Sequence, residues 1–416
     1  MTAFAVRFLG CKVSQADATL IRDALIDAGH AEVPAEDARV HVVNTCALTL
    51  EAERKSRQQV NRASRRAEIT FVTGCAVNLN AQQFGAPDGV VVVPRSADRA
   101  AAEIVERLGS LPEPGCRDET PRSGRTRAFL KVQNGCDSRC AFCIIPTTRG
   151  PAESRPLGAI LRDARRRLDE SNPELVLTGI NIGTWSDSGP GMGLAHLVRT
   201  LGALDGLERL RISSIEPGSV TCDLVDAVAD VPTAGTHLHI PLQSGSTRVL
   251  RAMRRTYTAE DFVEACARAR AVIPGLNLTT DAIIGFPGER EEDFRDTMAV
   301  VEEAGISKVH VFPFSARPGT EAERLAHTVL ADERADRSRR LRDLSDRMGA
   351  DRRRGRVGSR DTVLVEKRLD NGMLAGLGRD YSRFVLVDDG RFGTADMVAV
   401  DVVGVSGDHL QGRSRP

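Results

Sequence analysis

Short apolar runs alternate with amphipathic segments through the first quarter of the chain. Runs rich in Val, Ile and Phe predict strands, and the segments between them have the periodicity of helices. The strands are predicted at 4–9, 39–43, 69–73 and 90–93, and the helices at about 15–28 and 50–67. This alternation predicts an α/β fold with a doubly wound parallel sheet, in an N-terminal domain over residues 1–110.

The same alternation resumes after a stretch rich in Pro and Gly, residues 111–125, which we interpret as a linker. Further strands are predicted at 128–132, 175–178, 207–212, 237–240, 276–284 and 308–312. Helical segments separate them, for example 193–204, 259–272 and 289–304. Six parallel strands with crossover helices predict a partial (β/α)6 barrel over 126–350, with its site at the carboxyl ends of the strands.

The C-terminal part changes character, from an arginine-rich helix at 333–356 to short β segments. These segments lie at 361–366, 373–377, 383–387 and 397–405, and predict a five-stranded all-β barrel over 356–416. Pairs of oppositely charged residues, four positions apart on a solvated helix, account for part of this arginine-rich composition. The cluster Arg352–Arg356 has no such local balance and is a candidate for contacts with phosphates.

Composition limits the possible partners and compartments of this chain of 416 residues. Lys and Arg number 57, and so do Asp and Glu, so nucleic-acid binding would need a local patch of charge. The N-terminus has no signal-peptide pattern, and no apolar run reaches transmembrane length. We therefore expect a cytoplasmic protein, without membrane contact, whose reduced cysteines are available to bind metal.

Three cysteines follow the first strand of the predicted barrel in the pattern C-x-x-x-C-x-x-C: Cys136, Cys140 and Cys143. Three thiolates can hold three corners of a cubane iron–sulfur cluster, which leaves one iron open for a substrate or cofactor. A zinc site is the alternative, but zinc usually needs a second ligand pair nearby. The next histidine is His196 and the next cysteine is Cys222.

A second cysteine trio is predicted from topology. Cys11, Cys46 and Cys75 each follow the end of a predicted strand. Ligands bind beyond the carboxyl ends of such strands, so we expect the three thiols to meet and hold a second cluster. The alternative is that small buried cysteines close tight turns. We interpret the remaining cysteines as non-ligands, two in predicted helices and one in the linker: Cys222, Cys266 and Cys116.

These motifs resemble a known family. The loop around Cys136, with Phe142 before its last cysteine, resembles the signature of the radical S-adenosylmethionine (SAM) superfamily. The motifs around Cys11, Cys46 and Cys75 are similar to the N-terminal domain of the methylthiotransferases, which include the MiaB, MtaB and RimO types. The small barrel resembles the RNA-binding TRAM domain, with Arg379-Asp380-Tyr381 at a typical loop position.

The resemblance implies two 4Fe-4S clusters held by the six cysteines, SAM as cofactor, tRNA as partner, and an electron donor such as flavodoxin or ferredoxin. It also implies that the loops at the strand ends bind SAM. Glu216 could accept hydrogen bonds from a ribose or an amine, and Gly285 could admit an adenine ring. The expected SAM-binding residues are Thr178, Gly179, Ser213, Glu216, Gln243, Ser244, Gly285 and Pro287. We interpret His237 and His239 as core histidines and not as ligands.

The choice of substrate depends on finer motifs. Lys12-Val13, Gly183 and the stretch 312–320 resemble the MtaB type most closely. The resemblance therefore implies that a methylthio group is added to C2 of N6-threonylcarbamoyladenosine at position 37 of tRNA. The alternatives are N6-isopentenyladenosine in tRNA (MiaB), an aspartate of a ribosomal protein (RimO), or a non-catalytic RNA-binding redox sensor.

Overall fold

The computed structural model describes residues 1–85, 88–109, 126–189 and 191–415. The predicted linker and Cys116 lie outside these residues. Within them the chain forms a parallel sheet with helices, a barrel of parallel strands and a small closed barrel, in that order. The predicted fold class is confirmed. None of the helices in these ranges combines the length and apolar character that crossing a membrane requires.

The N-terminal sheet is parallel throughout, with the strand order β2-β1-β3-β4-β5. Its elements are β1 (Ala3–Phe8), α1 (Lys12–Asp27), β2 (Ala31–Glu32), β3 (Val40–Thr45), α2 (Leu50–Ser64), β4 (Ile69–Gly74), α3 (Cys75–Leu79), β5 (Val90–Val92) and α4 (Ala97–Leu108). β2 was not predicted from the sequence, because a strand of two residues is too short to show an alternation of apolar and polar positions. Every residue of β3 is buried, as expected for a strand with helices on both faces of its sheet.

The central barrel follows the predicted order of strands and helices. Its elements are β6 (Arg127–Lys131), β7 (Gln133–Asn134), α5 (Ile145–Arg149), β8 (Glu153–Ser154), α6 (Leu157–Asp169), β9 (Glu174–Thr178), α7 (Leu194–Gly202), β10 (Arg209–Ile212), α8 (Cys222–Asp230), β11 (His237–His239), α9 (Thr247–Ala252), α10 (Ala259–Val272), β12 (Asn277–Ile284), α11 (Glu291–Glu303) and β13 (Lys308–Pro313).

The six main strands form two parallel three-stranded sheets, β6-β9-β10 and β11-β12-β13. Isolated bridges, Leu210 to Ala234 and Ser214 to His239, connect the two sheets. Alternate side chains such as Leu238 and Leu278 pack into the large core that includes the surrounding helices. The residues between them point the other way, so the lumen of the barrel is lined largely by polar side chains.

A long helix, α12 (Ala331–Arg356), leads into the C-terminal barrel. The barrel closes in the order β14-β15-β16-β18-β17, with strands β14 (Arg360–Arg368), β15 (Leu374–Leu377), β16 (Arg383–Leu386), β17 (Met397–Ser406) and β18 (His409–Ser414). The prediction of five strands is confirmed. The sequence analysis had not located β18, because Leu410 is its only large apolar residue.

The C-terminal barrel is docked against the amino ends of β9 and β10. Arg209 and Arg211 are buried, and both pair with the fully buried carboxylate of Glu174. Their guanidinium groups also donate to the carbonyl oxygens of Leu377, at 3.1 Å, and Gly378, at 2.7 Å. The small barrel therefore closes the end of the central barrel opposite its carboxyl strand ends.

The charge of the Arg352–Arg356 cluster is largely used within the protein. Arg352 pairs with Asp380 at 2.9 Å, and Arg356 also pairs with Asp380. Arg354 pairs with Asp351 on the same helix. The interpretation of the whole cluster as a phosphate-binding stretch is therefore wrong. Asp380 comes from a different domain, so the local sequence could not reveal it as the partner.

Candidate active site

A glycine shapes the entry to the loop that carries Cys136, Cys140 and Cys143. Gly135 has φ 66°, and a Cβ there would lie 1.8 Å from the carbonyl oxygen of Pro151. Only glycine fits, because the returning backbone occupies the place of a side chain. The three cysteines that follow are all half-buried, so their sulfurs are accessible to a bound group.

A buried glutamine joins this loop to the end of β9. Gln133 Oε1 accepts hydrogen bonds from the backbone N–H groups of Ile180 (3.0 Å) and Asn181 (2.9 Å). Its Nε2 donates to the carbonyl oxygens of Asn134 and Gly135, both at 2.8 Å. Gln133 belongs to none of the motifs described above, although its place just after a buried strand is a signal in the sequence.

Most residues expected to bind SAM lie at the same edge of the barrel as the cysteine loop. Thr178 ends β9 and Gly179 follows it, Ser213 follows β10, and Gln243 and Ser244 lie beyond β11. The hydroxyl of Ser213 is buried and has no hydrogen-bond partner among the described residues. A buried hydroxyl without a partner is costly, so Ser213 is available to a ligand at this edge.

Glu216 has a protein partner that the sequence did not suggest. It pairs with Arg255, whose Nη1 also donates to the sulfur of Cys140 at 3.1 Å. Arg255 further lies over the ring of Tyr257, 4.8 Å from its centre. The guanidinium thus links a predicted SAM residue to a predicted cluster ligand. Arg255 has no sequence signal, because it is one of many arginines.

Gly285 and Pro287 are buried beyond the end of β12. A Cβ at Gly285, where φ is 77°, would lie 2.7 Å from Cδ of Arg334 on α12. The missing side chain makes room for Arg334, and the expected contact of this loop with an adenine ring stays a prediction. No local pattern in the sequence shows that α12 packs over this loop.

The second cysteine trio follows the ends of β1, β3 and β4. A Cβ at Gly10 would lie 2.9 Å from the sulfur of Cys46, so this sulfur packs against the turn that carries Cys11. Cys75 is the first residue of α3, directly after β4. The three thiols are close enough that negative charge on Cys11 or Cys75 would raise the pKa of Cys46. The predicted convergence of the three strand ends is present.

The environment of the sulfurs fits metal-bound thiolates. Burial raises the pKa of Cys46 and of Cys143 to about 11, so neither thiol ionises near neutral pH without a cation. Backbone N–H groups point at two of the sulfurs, from Leu48 to Cys46 at 3.5 Å and from Ser138 to Cys136 at 3.4 Å. Sulfur donors of this kind suit iron–sulfur clusters, and each trio leaves one corner open.

Arg149, the last residue of α5, connects the two trios. Its Nε donates to the sulfur of Cys75 at 3.1 Å, and its Nη1 donates to Asn134 Oδ1 at 2.9 Å, beside the first cysteine loop. Its Nη2 pairs with Asp17 at 2.9 Å, and Asp17 also binds Lys131 Nζ at 2.5 Å. Burial alone would raise the pKa of Asp17, but the charges of Lys131 and Arg149 lower it. This interface was missed, because each of its contacts joins residues far apart in sequence.

The other described cysteines and the barrel histidines have their own environments. Cys222 is exposed at the start of α8, whereas Cys266 is buried within α10. His237 and His239 both hydrogen-bond to Thr279 Oγ1 at 2.9 Å, and both line a cavity inside the barrel. Donor atoms of His239, Asp281 and His310 also lie within 4.8 Å of one another, a spacing that a metal ion could bridge.

The fold and the cysteine loop define a radical SAM enzyme. The family described as the Radical SAM superfamily matches residues 130–301, and the uncharacterized protein family UPF0004 matches residues 3–93. A solved radical SAM methyltransferase, TsrM from Kitasatospora setae with cobalamin and a [4Fe-4S] cluster bound, has the same overall fold. Its TM-score is 0.57 at 14% identity, over 77% of each chain.

Curated relatives narrow this class. The threonylcarbamoyladenosine tRNA methylthiotransferases MtaB of Chlamydia pneumoniae and Bacillus subtilis are 36% and 35% identical, over 86% and 84% of this chain and 86% and 81% of theirs. A tRNA-2-methylthio-N(6)-dimethylallyladenosine synthase of Leifsonia xyli is 34% identical, over 92% of this chain and 76% of its own. The chain belongs to the radical SAM methylthiotransferase family, whose enzymes use SAM and [4Fe-4S] clusters.

Proposed function

We propose that this enzyme adds a methylthio group to C2 of N6-threonylcarbamoyladenosine at position 37 of tRNA. One observation supports methylthio transfer as the class of reaction. Two cysteine trios, each leaving one corner of a four-iron cluster open, lie on the two sides of the interface that Arg149 bridges. One trio suits the cleavage of SAM, and the second suits the delivery of sulfur.

Each trio is assigned one role. Cys136, Cys140 and Cys143 hold the cluster at which SAM binds, and an auxiliary cluster is held by Cys11, Cys46 and Cys75. When bound, the first cluster would supply the electron that cleaves SAM to methionine and a 5′-deoxyadenosyl radical, which removes hydrogen from the substrate, and the second would supply the sulfur, whose methyl group comes from a second SAM.

The surrounding side chains position the reactants. Gln133 holds the loop after β9 beside the first trio, and the free hydroxyl of Ser213 faces the same edge. Arg255 orients Glu216 and places positive charge at Cys140. Arg149, Asp17 and Lys131 hold the N-terminal domain against the central barrel between the two trios, beside a cavity of about 440 Å³ that Cys75 and Asn134 line.

The remaining partners follow from these assignments. We assign tRNA binding to the C-terminal barrel. The side chains of Arg360 and Arg383 are 73% and 65% exposed there, although each also has a carboxylate partner, Asp401 at 3.7 Å and Asp408 at 2.6 Å. An electron donor such as flavodoxin or ferredoxin would supply the electron to the cluster that Cys136, Cys140 and Cys143 would hold.

The threonylcarbamoyl substrate is supported by the MtaB relatives and by Lys12-Val13, which follows Cys11 as in the MtaB type. The second candidate substrate is N6-isopentenyladenosine. It is favoured by the relatives named tRNA-2-methylthio-N(6)-dimethylallyladenosine synthase, one of which, from Clavibacter michiganensis, aligns with 98% of this chain at 34% identity.

Mass spectrometry of tRNA nucleosides from a deletion strain tests the assignment. We expect the methylthio mark to disappear from N6-threonylcarbamoyladenosine and to return when the gene is restored. Loss from N6-isopentenyladenosine alone would identify the second candidate as the substrate. An unchanged tRNA profile would contradict both, and would direct the search to an aspartate of a ribosomal protein.

A further inference from the structure

A cavity of about 670 Å³ lies where the three parts of the chain meet. Lys12, the first residue of α1, reaches it from the N-terminal domain, and residues of β11, β12, β13 and α12 form its wall. The C-terminal barrel contributes Tyr381 and its neighbours. Its lining includes Lys12, His237, His310, Lys308, Leu377 and Tyr381.

The position of this cavity relates it to the sulfur-delivering trio. Lys12 directly follows Cys11, so the backbone that carries a candidate cluster ligand also carries a wall residue of the cavity. In adenine, only N1 separates C2 from the carbon that bears N6. A base whose C2 lies at the second trio would therefore direct its N6 substituent to within a few ångströms of the trio's sulfurs. Lys12 is the lining residue that connects this position to the cavity.

The charge of the cavity is positive. Lys308 and Arg383 each have a carboxylate partner, Asp346 at 2.9 Å and Asp408 at 2.6 Å. Lys12 has no ion-pair partner among the residues that the structure describes, and its Nζ lies 5.7 Å from the centre of the Tyr381 ring. The ammonium group of Lys12 is therefore free to pair with an anion that enters the cavity.

The positive charges around the cavity also act on the phenol of Tyr381. Burial opposes ionisation of this phenol, yet the charges of Lys12, Arg127 and Arg211 lower the pKa of Tyr381 below its usual value. Arg211 lies 4.8 Å from the ring centre, and Arg127 donates to the phenol oxygen at 3.2 Å. Stacking on His237, with ring centres 4.8 Å apart, holds the ring as the floor of the cavity.

Most side chains of the lining are of polar types. Among the described lining residues, Leu377 alone has an aliphatic side chain. His237, His310 and the hydroxyl and amide side chains around them can donate and accept hydrogen bonds. A branched hydrocarbon would desolvate these polar groups without replacing their partners, which is unfavourable.

We propose that this cavity binds the N6 substituent of the target adenosine and that Lys12 pairs with a carboxylate on that substituent. The inference rests on the proposed function, since the threonylcarbamoyl group carries a carboxylate and the isopentenyl group carries none. Lys12 is thus a residue that determines substrate specificity. Tyr381 closes the cavity beneath it, which gives the C-terminal barrel a part in substrate selection.

The test compares two nearly identical substrates on the reconstituted enzyme with both clusters. One is tRNA with N6-threonylcarbamoyladenosine, and the other is the same tRNA with the carboxylate converted to a carboxamide. We expect the wild-type enzyme to prefer the acid by about 10- to 100-fold in kcat/KM, as for a desolvated charge pair. Lys12→Gln should lose this preference through a slower reaction of the acid alone, and Lys12→Arg should retain most of it.

Lys55→Gln is the matched control, since Lys55 lies on an exposed face of the same domain and pairs with Glu51 at 3.5 Å. It should leave the preference for the acid unchanged. Equal slowing of acid and amide by Lys12→Gln would show a merely structural role and overturn the assignment. Conversion of N6-isopentenyladenosine tRNA alone by the wild-type enzyme would overturn the proposed function as well, so the two failures are distinguishable.

Discussion

The two cysteine trios differ in how the chain brings their sulfurs together. Cys136, Cys140 and Cys143 lie in one loop, so the connectivity of the backbone alone keeps them near one another. Cys11, Cys46 and Cys75 come from the ends of three strands, and they meet only because β1, β3 and β4 are adjacent and parallel. The first trio is a local feature, and the second is a product of the sheet.

The residues that surround the two trios nevertheless make similar contacts. Each trio has an arginine that donates to a sulfur at 3.1 Å, Arg255 to Cys140 and Arg149 to Cys75. Each also has a glycine directly before its first cysteine, where another part of the chain approaches closely. The same kinds of contact stabilise both sites, but around the second trio they join different elements. Disturbing the packing of the sheet should therefore affect the second trio more than the first.

Loss of a ligand in the first trio should have the largest effect. We expect Cys140→Ala to lower reductive SAM cleavage by at least about a thousandfold, because the open-iron cluster is no longer held. Methylthio transfer should disappear with it. The iron content, measured on the reconstituted protein, should fall from roughly eight to roughly four atoms per chain.

Cys222→Ala is the control for that variant, since Cys222 is exposed on α8 and belongs to neither trio. It should keep its full iron content and activity. Normal formation of 5′-deoxyadenosine by Cys140→Ala would contradict the assignment of the first trio.

Loss of a ligand in the second trio should separate the two half-reactions. We expect Cys11→Ala to form 5′-deoxyadenosine at a rate within about threefold of the wild-type enzyme and to produce no methylthio nucleoside. Chromatography of both products from one anaerobic reaction measures the separation. If this variant still formed methylthio product in full, the second trio would have no part in sulfur delivery.

Substitution of the glycine before each trio should have a smaller effect than loss of a cysteine. Gly135→Ala places a Cβ 1.8 Å from backbone, whereas Gly10→Ala meets the sulfur of Cys46 at 2.9 Å. Both positions have positive φ, so each change should destabilise the protein by about 1–2 kcal/mol from backbone strain alone. Thermal unfolding measures stability, and iron content should fall at the first trio for Gly135→Ala and at the second for Gly10→Ala.

Gly355→Ala provides the comparison, since nothing lies within 4 Å of its Cβ position on α12. It should be neutral or slightly stabilising. The same loss of iron from both trios in Gly135→Ala and Gly10→Ala would contradict the view that the two sites are built independently.

Substitution of the two arginines should have the smallest effects, and each should affect a different half-reaction. Removal of the group that donates to a cluster ligand typically costs about 10- to 100-fold. We expect Arg149→Met to lower methylthio transfer by about tenfold with little change in SAM cleavage. Arg255→Met should lower SAM cleavage itself. Asp17 keeps Lys131 as a partner in Arg149→Met, so the interface should survive.

Redox titration of each arginine variant gives a second measurement, because loss of a positive charge beside a cluster lowers its reduction potential. Only the potential of the neighbouring cluster should shift. A shift of both potentials in either variant would mean that the arginines act on the whole protein and not on their own trios.

Much of the fold was predictable from periodicity and topology. The alternation of strands and helices predicted the two parallel sheet systems and the convergence of Cys11, Cys46 and Cys75. Prediction was wrong where a partner came from another domain, as with Asp380 beside Arg352 and Arg356. It also missed Gln133 and Arg149, whose importance depends on hydrogen bonds that no local pattern specifies.

By itself the sequence determined the order of strands and helices and the local cysteine loop, because both depend on the spacing of residues along one segment. Only the tertiary structure decided which side chain sits beside each sulfur, and that Lys12 and Tyr381 share one cavity. Contacts of this kind depend on how whole elements pack and on which buried charges compensate one another. Residues far apart along the chain become partners only when the domains dock.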